Sequence, residues 1–346
     1  MNDAFPDFEA QAASIHRATL CLDSHIDIPW PHTPGPFGDS TRHVDFPKML
    51  AGGMNAGCFV AYIPQGPLTI QAGNDAAARC FTMLEAINAT GTGQNGILTR
   101  LCPTPDAIEA AFAEGALAVV PAIENGHAIG DDLARIEKFR ALGVVYITMS
   151  HNGHNLLADS ANPRRDLGDN ETLHGGLSDL GRAAVREMNR CGIMVDVSHL
   201  AKSAMMQAVE LSSVPVVASH SCAAALCSHV RNLDDAQLEA IRDCGGVAQV
   251  TAMPPFIKFK GGVNSVTVAD MVDHIDHIVQ RIGIKHCGIS SDFDGGGALA
   301  DWRHAGDTFN VTAELVRRGY NAEEIGLLWG GNFLRVMRVV QAGTAI

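Results

Sequence analysis

The stretch CLDSHIDIPW, residues 21–30, ends a short apolar run with a histidine and a carboxylate two positions apart, His25 and Asp27. Alternate residues of an extended strand project to the same face, so these two side chains can reach one point together. An imidazole nitrogen and a carboxylate oxygen that converge on one point suit a zinc-type metal ion. A single pair of this kind also arises as a hydrogen-bonded strand end. Its interpretation therefore depends on how the other strands end.

Seven further short apolar runs follow, and most are separated by stretches with helical periodicity. They begin at Ala56, Leu117, Val144, Gly192, Pro215, Gly246 and Cys287. Apolar strands without alternation are typical of a parallel sheet that is covered on both faces. Eight strand–helix units predict a (β/α)8 TIM-like barrel, whose active site lies at the carboxyl ends of its strands. A doubly wound open sheet is the competing architecture, but no GxGxxG follows the first run and polar residues end many runs.

The segments between the runs predict helices over residues 75–90, 201–211, 234–242 and 266–281. Two further helices have clear start signals: Thr104 followed by Pro105, and Ser178 as the N-cap of a helix to residue 190. A polar insertion over residues 159–176 has the length of a lid or rim loop. Since no linker, repeat or low-complexity tract divides the chain, residues 1–346 are predicted to form a single catalytic domain.

The polar residues at the strand ends form one candidate site. They are His25, Asp27, Glu124, His151, His199, His220 and Asp292. A closed barrel brings these ends round a single mouth, where clustered carboxylates without a cation would repel one another and shift their pKa values. Two divalent ions would relieve this repulsion, and a carboxylate between them can bridge both. Singly, each residue has a structural alternative, such as a helix cap for His199 or a buried ion pair for Glu124.

The composition excludes several classes of protein. A net charge of −13 and the lack of a basic run argue against a nucleic-acid partner. No apolar run is long enough to span a bilayer, and the acidic N-terminus does not resemble a secretory signal, so no membrane association is expected. Nine cysteines without a CxxC pair predict reduced, mostly buried thiols in a cytoplasmic protein.

Eight motifs together identify a family. They are DSHIDIP (23–29), AIENG (122–126), TMSHNGHN (148–155), GLSDLGRAAVREMNRCGIMVDVSH (176–199), SHS (219–221), HVRN (229–232), GISSDFDG (288–295) and GGNFLRV (330–336). With these motifs the sequence resembles the membrane (renal) dipeptidase family, zinc peptidases of family M19 in the amidohydrolase superfamily. The segment 176–199 is the most specific, because the fold alone would not require it.

The resemblance implies a binuclear zinc site and a role for each residue. His25, Asp27 and Asp292 would hold one zinc ion, His199 and His220 the second, and Glu124 would bridge the two. His151 would contact the scissile carbonyl oxygen, and Arg231 would receive the free carboxylate of the substrate. These roles suit a hydroxide shared by two metals, which is a nucleophile at neutral pH. Asp292 would move its proton to the leaving amine, and His151 would stabilise the oxyanion.

The implied activity is the hydrolysis of dipeptides with a free C-terminal carboxylate, including a D-residue at that position, by a homodimer. The closest alternative is hydrolysis of an N-acyl amino acid, a lactone or a phosphoester at the same site. Many binuclear relatives bridge their metals with a carboxylated lysine, whereas no lysine ends a run here, so Glu124 favours the dipeptidase. A catalytically silent metal-binding protein is the rival from another class, but it would lack a ligand or the general base.

The sequence departs from the family pattern at two positions. Asn125 stands where the family has glycine, and residues 251–255 lack a tyrosine that some members carry, so no second oxyanion donor is assigned. Animal members carry a signal and a lipid anchor, which are not expected for this chain. The other polar residues are ranked below the site or expected to face solvent: His154, His174 and Asp294 in the first group, Asp273, His274 and His277 in the second.

Overall fold

Nine parallel strands form the sheet of this protein, which is known from a computed structural model that describes residues 5–28, 35–260 and 262–343. The strands are β1 (Leu22–Asp27), β2 (Ala56–Tyr62), β3 (Thr99–Leu101), β4 (Leu117–Glu124), β5 (Tyr146–Thr148), β6 (Met194–Asp196), β7 (Val217–Ser221), β8 (Val247–Thr251) and β9 (Cys287–Ser290). Pro29 and Trp30, which end the opening stretch, lie outside the described residues, as does the start of the loop that follows them.

Eight of the strands follow one another round a ring in the order β1-β2-β4-β5-β6-β7-β8-β9. Backbone hydrogen bonds join its two ends: the Asp27 amide donates to Phe293 O at 3.0 Å, and the Asp292 amide donates to His25 O at 3.1 Å. The predicted (β/α)8 barrel is confirmed, and each predicted apolar run contains one strand of the ring. These closing bonds also bring the end of β1 beside the residues that follow β9.

The strand β3 lies outside the ring, where it pairs in parallel with the first half of β4 through Thr99, Arg100 and Leu101. The sequence did not predict it, because three residues with a central arginine do not form an apolar run. Its pairing covers the part of β4 that precedes the contact between β4 and β5 at Ile123.

Thirteen α-helices are present in the described residues, mostly between the strands of the ring. They are α1 (Phe5–Ala18), α2 (Phe46–Gly52), α3 (Ile70–Ala89), α4 (Pro105–Glu114), α5 (Ala134–Ala141), α6 (Asp179–Cys191), α7 (Lys202–Leu211), α8 (Asp235–Asp243), α9 (Pro254–Ile257), α10 (Val268–Ile282), α11 (Phe309–Arg317), α12 (Ala322–Gly326) and α13 (Asn332–Ala342). The predicted caps are confirmed: Thr104 Oγ1 accepts from the Ala107 amide and Ser178 Oγ from the Gly181 amide. The helix α3 begins five residues before its prediction, because Thr69 caps it.

Apolar side chains close the amino end of the ring. Leu22 and Met194, each the first residue of its strand, belong to one buried cluster with Phe333 and Met337 of α13. A larger cluster fills the space between the ring and the surrounding helices. The carboxyl ends of the strands are therefore the part of the ring where polar side chains concentrate.

One prediction about the helices is wrong. His274 was expected to face solvent with Asp273 and His277, but its side chain is buried on the inner stripe of α10 between Met271 and Ile278. Its Nδ1 accepts from the Ala223 amide at 3.1 Å and its Nε2 lies 3.1 Å from Ile257 O. Two backbone partners satisfy the imidazole, so its burial on the apolar face is not costly.

The burial of the cysteines agrees with the sequence analysis. All nine cysteines lie in the described part of the chain and are free thiols, and most of them are buried. None of the helices between residues 5 and 343, within the described ranges, is long and apolar enough to cross a membrane.

Candidate metal centre and substrate cavity

The seven strand-end residues surround the carboxyl end of the ring. His25 and Asp27 belong to β1, Glu124 ends β4, and His220 belongs to β7. The other three lie two or three residues beyond their strands: His151 after β5, His199 after β6 and Asp292 after β9. Each side chain is thus positioned by a strand of the ring, which is why residues far apart in the sequence meet here.

Glu124 lies at the centre of four imidazoles. Its Oε1 is 3.0 Å from His199 Nε2, 3.3 Å from His220 Nε2 and 3.9 Å from His151 Nε2. Its Oε2 is 3.7 Å from His25 Nε2. The two oxygens of this carboxylate therefore face different histidines, as a carboxylate that bridges two metal ions must.

Two sets of side chains have ligand atoms close enough together to hold one ion each. One set is His25, Glu124 and His220, and the other is Glu124, His151 and His199, with the ligand atoms of each set within 4.8 Å of one another. Glu124 belongs to both sets. The sets pair the histidines differently from the family pattern, so the division of the ligands between two ions stays a prediction.

Asp27 and Asp292 face each other beside Gly295. A Cβ atom at position 295 would lie 2.4 Å from Asp292 Oδ1 and 2.7 Å from Asp27 Oδ2. Only glycine leaves room for both carboxylates at this point. Asp292 and His199 both have positive φ angles, of 60° and 68°. Such angles are uncommon outside glycine and cluster at functional sites, where the surrounding structure imposes them.

The donor set fits a metal ion. His25 Nε2 and Asp27 Oδ1 are buried, lie 3.7 Å apart and have no hydrogen-bond partner among the described residues. Leaving buried polar atoms unsatisfied is costly, and imidazole nitrogens with carboxylate oxygens are the ligands that zinc prefers. The geometry therefore favours a divalent ion with nitrogen and oxygen ligands.

The protonation of the site points to the same conclusion. Burial and repulsion from Glu124 raise the pKa of Asp27 well above its usual range. Burial also raises the pKa of Asp292 to about 7, although His25 acts in the opposite direction. Burial lowers the pKa values of His199 and His220 well below the usual range. His199 and His220 are therefore neutral, the form that binds metal. Burial opposes the charged form of His25, but Glu124 and Asp27 outweigh it and raise the pKa of His25 to about 10. A cation would take the place of the His25 proton and remove the repulsion between the carboxylates.

A hydrogen bond from His25 to the Tyr146 hydroxyl orients the His25 ring, and the sequence analysis did not identify it. The Tyr146 hydroxyl donates to Ser24 O at 2.8 Å and lies 2.9 Å from His25 Nδ1. A phenol has one proton, so this hydroxyl accepts the Nδ1–H of His25. In the neutral ring the lone pair of His25 is then on Nε2, which faces Asp27 and Glu124. Tyr146 lies inside an apolar run, where no local pattern marks it as functional.

Ser219 and Asp196 orient His220 in the same way. Ser219 Oγ donates to Asp196 Oδ2 at 2.7 Å and lies 2.8 Å from His220 Nδ1. The other oxygen of Asp196 accepts from the amides of Ser198 and Ser219. Because the hydroxyl proton of Ser219 is donated to Asp196, the Ser219 oxygen accepts the Nδ1–H of His220. Nε2 of His220 is then free to bind a metal. Both residues lie within motifs that resemble the family, but only their neighbours were assigned roles.

Arg231 lies buried beside the histidines. Its side chain is 5% exposed, and its guanidinium carbon lies 5.4 Å from the centre of the Phe256 ring. Its Nη2 donates to His220 O at 3.4 Å, whereas its Nε has no hydrogen-bond partner among the described residues. Burial lowers its pKa to about 10, so the guanidinium remains charged at neutral pH. A buried cation with such weak pairing is available to an anionic ligand.

A cavity of about 300 Å³ connects these groups. Its walls include Glu124, His151, His199, His220, Arg231 and Asp292. Asn162 of the insertion 159–176 also lines it, which places this segment at the rim of the site. A ligand in this cavity can contact the metal donors and the guanidinium together.

The polar residues that were ranked below the site have structural partners. His154 Nδ1 accepts from the Ser160 amide, and His174 Nε2 lies 2.8 Å from Asn155 O. Asp294 accepts from the amides of His43 and Val44. These contacts hold loops in place round the mouth of the barrel.

Asn125 also has a structural explanation. Its φ of 87° lies in the region that glycine favours and asparagine tolerates. Its amide donates to Ile63 O at 2.9 Å, and its side-chain oxygen accepts from the His127 amide at 3.0 Å. The departure from glycine therefore keeps the backbone conformation and adds hydrogen bonds behind Glu124.

A parallel barrel with histidines and carboxylates at the carboxyl ends of its strands defines the class of barrel hydrolases that depend on a metal ion. Within this class, the sequence pattern of the family described as membrane dipeptidase (peptidase family M19) matches residues 9–345. The chain belongs to this family, which confirms the family predicted from its motifs.

Similar proteins of known name agree with this assignment. Dipeptidase tcpJ of Claviceps purpurea is 36% identical over 231 residues, 66% of this chain and 52% of that protein. Dipeptidase verJ of Clonostachys rogersoniana is 36% identical over 242 residues, 70% of this chain and 60% of that protein. The chain thus spans only about half to three fifths of the length of these curated relatives.

Two solved structures share the fold over nearly the whole chain. The probable dipeptidase PvdM from Pseudomonas aeruginosa has a TM-score of 0.92 at 28% identity and covers 98% of this chain and 100% of its own. An amidohydrolase from Pseudomonas aeruginosa has a TM-score of 0.79 at 26% identity, with coverages of 96% and 99%.

Proposed function

We propose that this protein is a binuclear zinc dipeptidase that hydrolyses dipeptides with a free C-terminal carboxylate. The observation that carries the proposal is the position of Arg231. Its buried, weakly paired guanidinium lines the same cavity as the metal donors. A guanidinium at a fixed place beside a hydrolytic centre selects short substrates that end in a carboxylate.

His25, Asp27 and Asp292 would hold one zinc ion, and His199 and His220 would hold the other, with Glu124 between them. When bound, such ions lower the pKa of a water molecule and polarise the scissile carbonyl. Tyr146 and Ser219 would keep His25 and His220 in the tautomers that bind metal. The curated relatives are named dipeptidases, which supports the proposed activity.

Three side chains of the cavity would transfer the proton, stabilise the oxyanion and position the substrate. Asp292 would accept the proton of the attacking water and deliver it to the leaving amine. His151 would donate a hydrogen bond to the oxyanion, because burial lowers its pKa and leaves a neutral imidazole with one N–H. Arg231 would fix the C-terminal carboxylate and thereby place the scissile bond at the metal donors. A C-terminal D-residue would retain this carboxylate contact, so a panel of L,L and L,D dipeptides measures the stereochemical preference.

Replacement of Arg231 tests the proposed role of the carboxylate. Arg231→Met should lower kcat/KM for dipeptides about 100-fold, because a charge-assisted hydrogen bond to the substrate contributes about 1.5–3 kcal/mol. For the same dipeptides with a C-terminal amide, kcat/KM should change little in this variant, since these substrates lack the carboxylate. Parallel assays of both substrate forms with wild type and variant measure the difference.

The matched control is Arg186→Met, which removes an exposed arginine of α6. It should leave both substrate forms unaffected. Equal losses on the free acid and the amide in Arg231→Met would contradict the proposed carboxylate contact. They would favour an alternative substrate of the same centre, such as a lactone or a phosphoester.

A further inference from the structure

A second cavity, of about 360 Å³, adjoins the metal centre. It shares Asp27, His151 and Gly295 with the cavity that contains Arg231. The remaining walls come from Ile28, Tyr62, Arg79, Met83 and Asp294. The two cavities therefore meet at the metal donors, with one arginine lining each of them.

Arg79 is available to a ligand in this second cavity. It lies on α3 one turn before the buried Met83, and its side chain is exposed. Neither its guanidinium nor the Tyr62 hydroxyl has a hydrogen-bond or ion-pair partner among residues 5–28, 35–260 and 262–343. The neighbouring Arg164, in contrast, is paired with Asp166. Arg79 and Tyr62 thus offer one cation and one hydroxyl to the same space.

We propose that the second cavity binds the N-terminal residue of the dipeptide and that Arg79 selects an acidic side chain there. This inference rests on the proposed function. If Arg231 receives the C-terminal carboxylate and the scissile bond lies at the metal donors, the N-terminal residue extends away from Arg231. The adjoining cavity lies at the same donors, and an aspartyl or glutamyl side chain within it can reach a guanidinium.

The charges in this cavity suit an acidic amino acid with a free ammonium group. Asp294 accepts the amides of His43 and Val44 at 2.9 and 3.2 Å and supplies a negative charge for the ammonium. Arg79 and the Tyr62 hydroxyl are the complementary partners for the side-chain carboxylate. A guanidinium discriminates a carboxylate from its amide isostere by charge, since both have the same shape.

Paired substrates that differ only in this charge test the proposal. The wild-type protein loaded with zinc should hydrolyse Glu–Ala with a kcat/KM about five- to tenfold above that for Gln–Ala, the range expected for a partly exposed ion pair. Arg79→Gln should bring the kcat/KM values for Glu–Ala and Gln–Ala to within about twofold of each other, mainly by lowering the value for Glu–Ala. Arg79→Lys should retain part of it, and Arg186→Gln, the exposed control on α6, should retain all of it.

Binding measurements separate this inference from the proposed function. Calorimetry with reduced-amide analogues of Glu–Ala and Gln–Ala reports the charge preference without hydrolysis. Charge-selective binding that depends on Arg79, in a protein that cleaves no dipeptide, supports the subsite and overturns the proposed activity. Equal affinities and equal rates for the two members of each pair, or a preference that survives Arg79→Gln, overturn the subsite alone.

Discussion

The hydrogen bonds that Nδ1–H donates decide which nitrogen of His25 and of His220 is free to bind a metal. Tyr146 fixes His25, and Ser219 with Asp196 fixes His220. Partners of this kind raise the basicity of the ligand and hold the ring in one orientation, and their loss commonly weakens metal affinity 10- to 100-fold. The structure thus adds positioning residues to the donor set that the sequence predicted.

Tyr146→Phe should weaken zinc binding about tenfold, because the His25 ring loses its fixed tautomer. Titration of the metal-free protein with zinc, followed by calorimetry, measures the change. The control is Tyr320→Phe, which removes the hydrogen bond from Tyr320 to Asp276 away from the barrel mouth. Zinc affinity that stays at the wild-type value in Tyr146→Phe would show that the hydroxyl does not position the ligand.

The candidate metal ligands could be predicted from the sequence because each directly ends an apolar run. Tyr146 and Ser219 could not be predicted in this way, because each acts on the site through its hydrogen bond to a ligand histidine. Tyr146 and His25 are 121 residues apart, and only the closed ring brings them together. Arg79 lies on an amphipathic helix, where an exposed arginine resembles any solvated side chain until the cavity beside it is known.

The buried carboxylate of Asp159 connects the two ends of the insertion 159–176. Asp159 Oδ1 accepts from the amides of Leu173 and His174, at 2.8 and 3.0 Å, and Oδ2 accepts from the Gly176 amide at 2.9 Å. Burial raises the pKa of Asp159, but these amides and His154 outweigh it and hold the pKa below its usual range. The ionised carboxylate therefore stabilises the rim that carries Asn162.

Asp159→Asn should lower the free energy of unfolding by about 1–2 kcal/mol at pH 7, because an amide nitrogen replaces one acceptor. The depressed pKa means that the carboxylate stabilises the fold at pH values above about 3.9, the ordinary aspartate value. The difference in unfolding free energy between wild type and variant should therefore shrink as the pH falls through the lowered pKa of Asp159 in the folded state. Chemical denaturation at several pH values measures it.

The exposed Asp131 provides the control for this comparison. Asp131→Asn should change the unfolding free energy little at any of these pH values. A gap between wild type and Asp159→Asn that widens as the pH falls would contradict the assigned role of the carboxylate.

The strands that are buried on both faces were the elements predicted best from the sequence. The strands of the ring are buried on both faces and appear as unbroken apolar runs. The helices whose caps were recognised in the sequence, at Thr104 and Ser178, begin where they were predicted. The helix α3, whose Thr69 cap was not recognised, begins five residues before its prediction. The strand β3 and the buried His274 depend on backbone partners from other elements, which no local pattern reports.

At the scale of the whole molecule, the ring explains why the site exists. Its amino end is filled by apolar side chains and α13, so the polar strand ends collect at the opposite end. The contact between β1 and the segment after β9 then places Asp27 beside Asp292. A homodimer and a cytoplasmic location stay predictions, and light scattering of the purified protein measures the first of them.

The central claim is that hydrolysis of dipeptides requires two zinc ions held by the strand-end residues. The most direct measurement is zinc titration of the metal-free protein, with the metal content per chain and the rate of dipeptide hydrolysis recorded at each step. The rate should rise from near zero and reach its plateau at about two equivalents of zinc. Purified protein with well under one zinc ion per chain, and no gain in hydrolysis on adding metal, would contradict the claim.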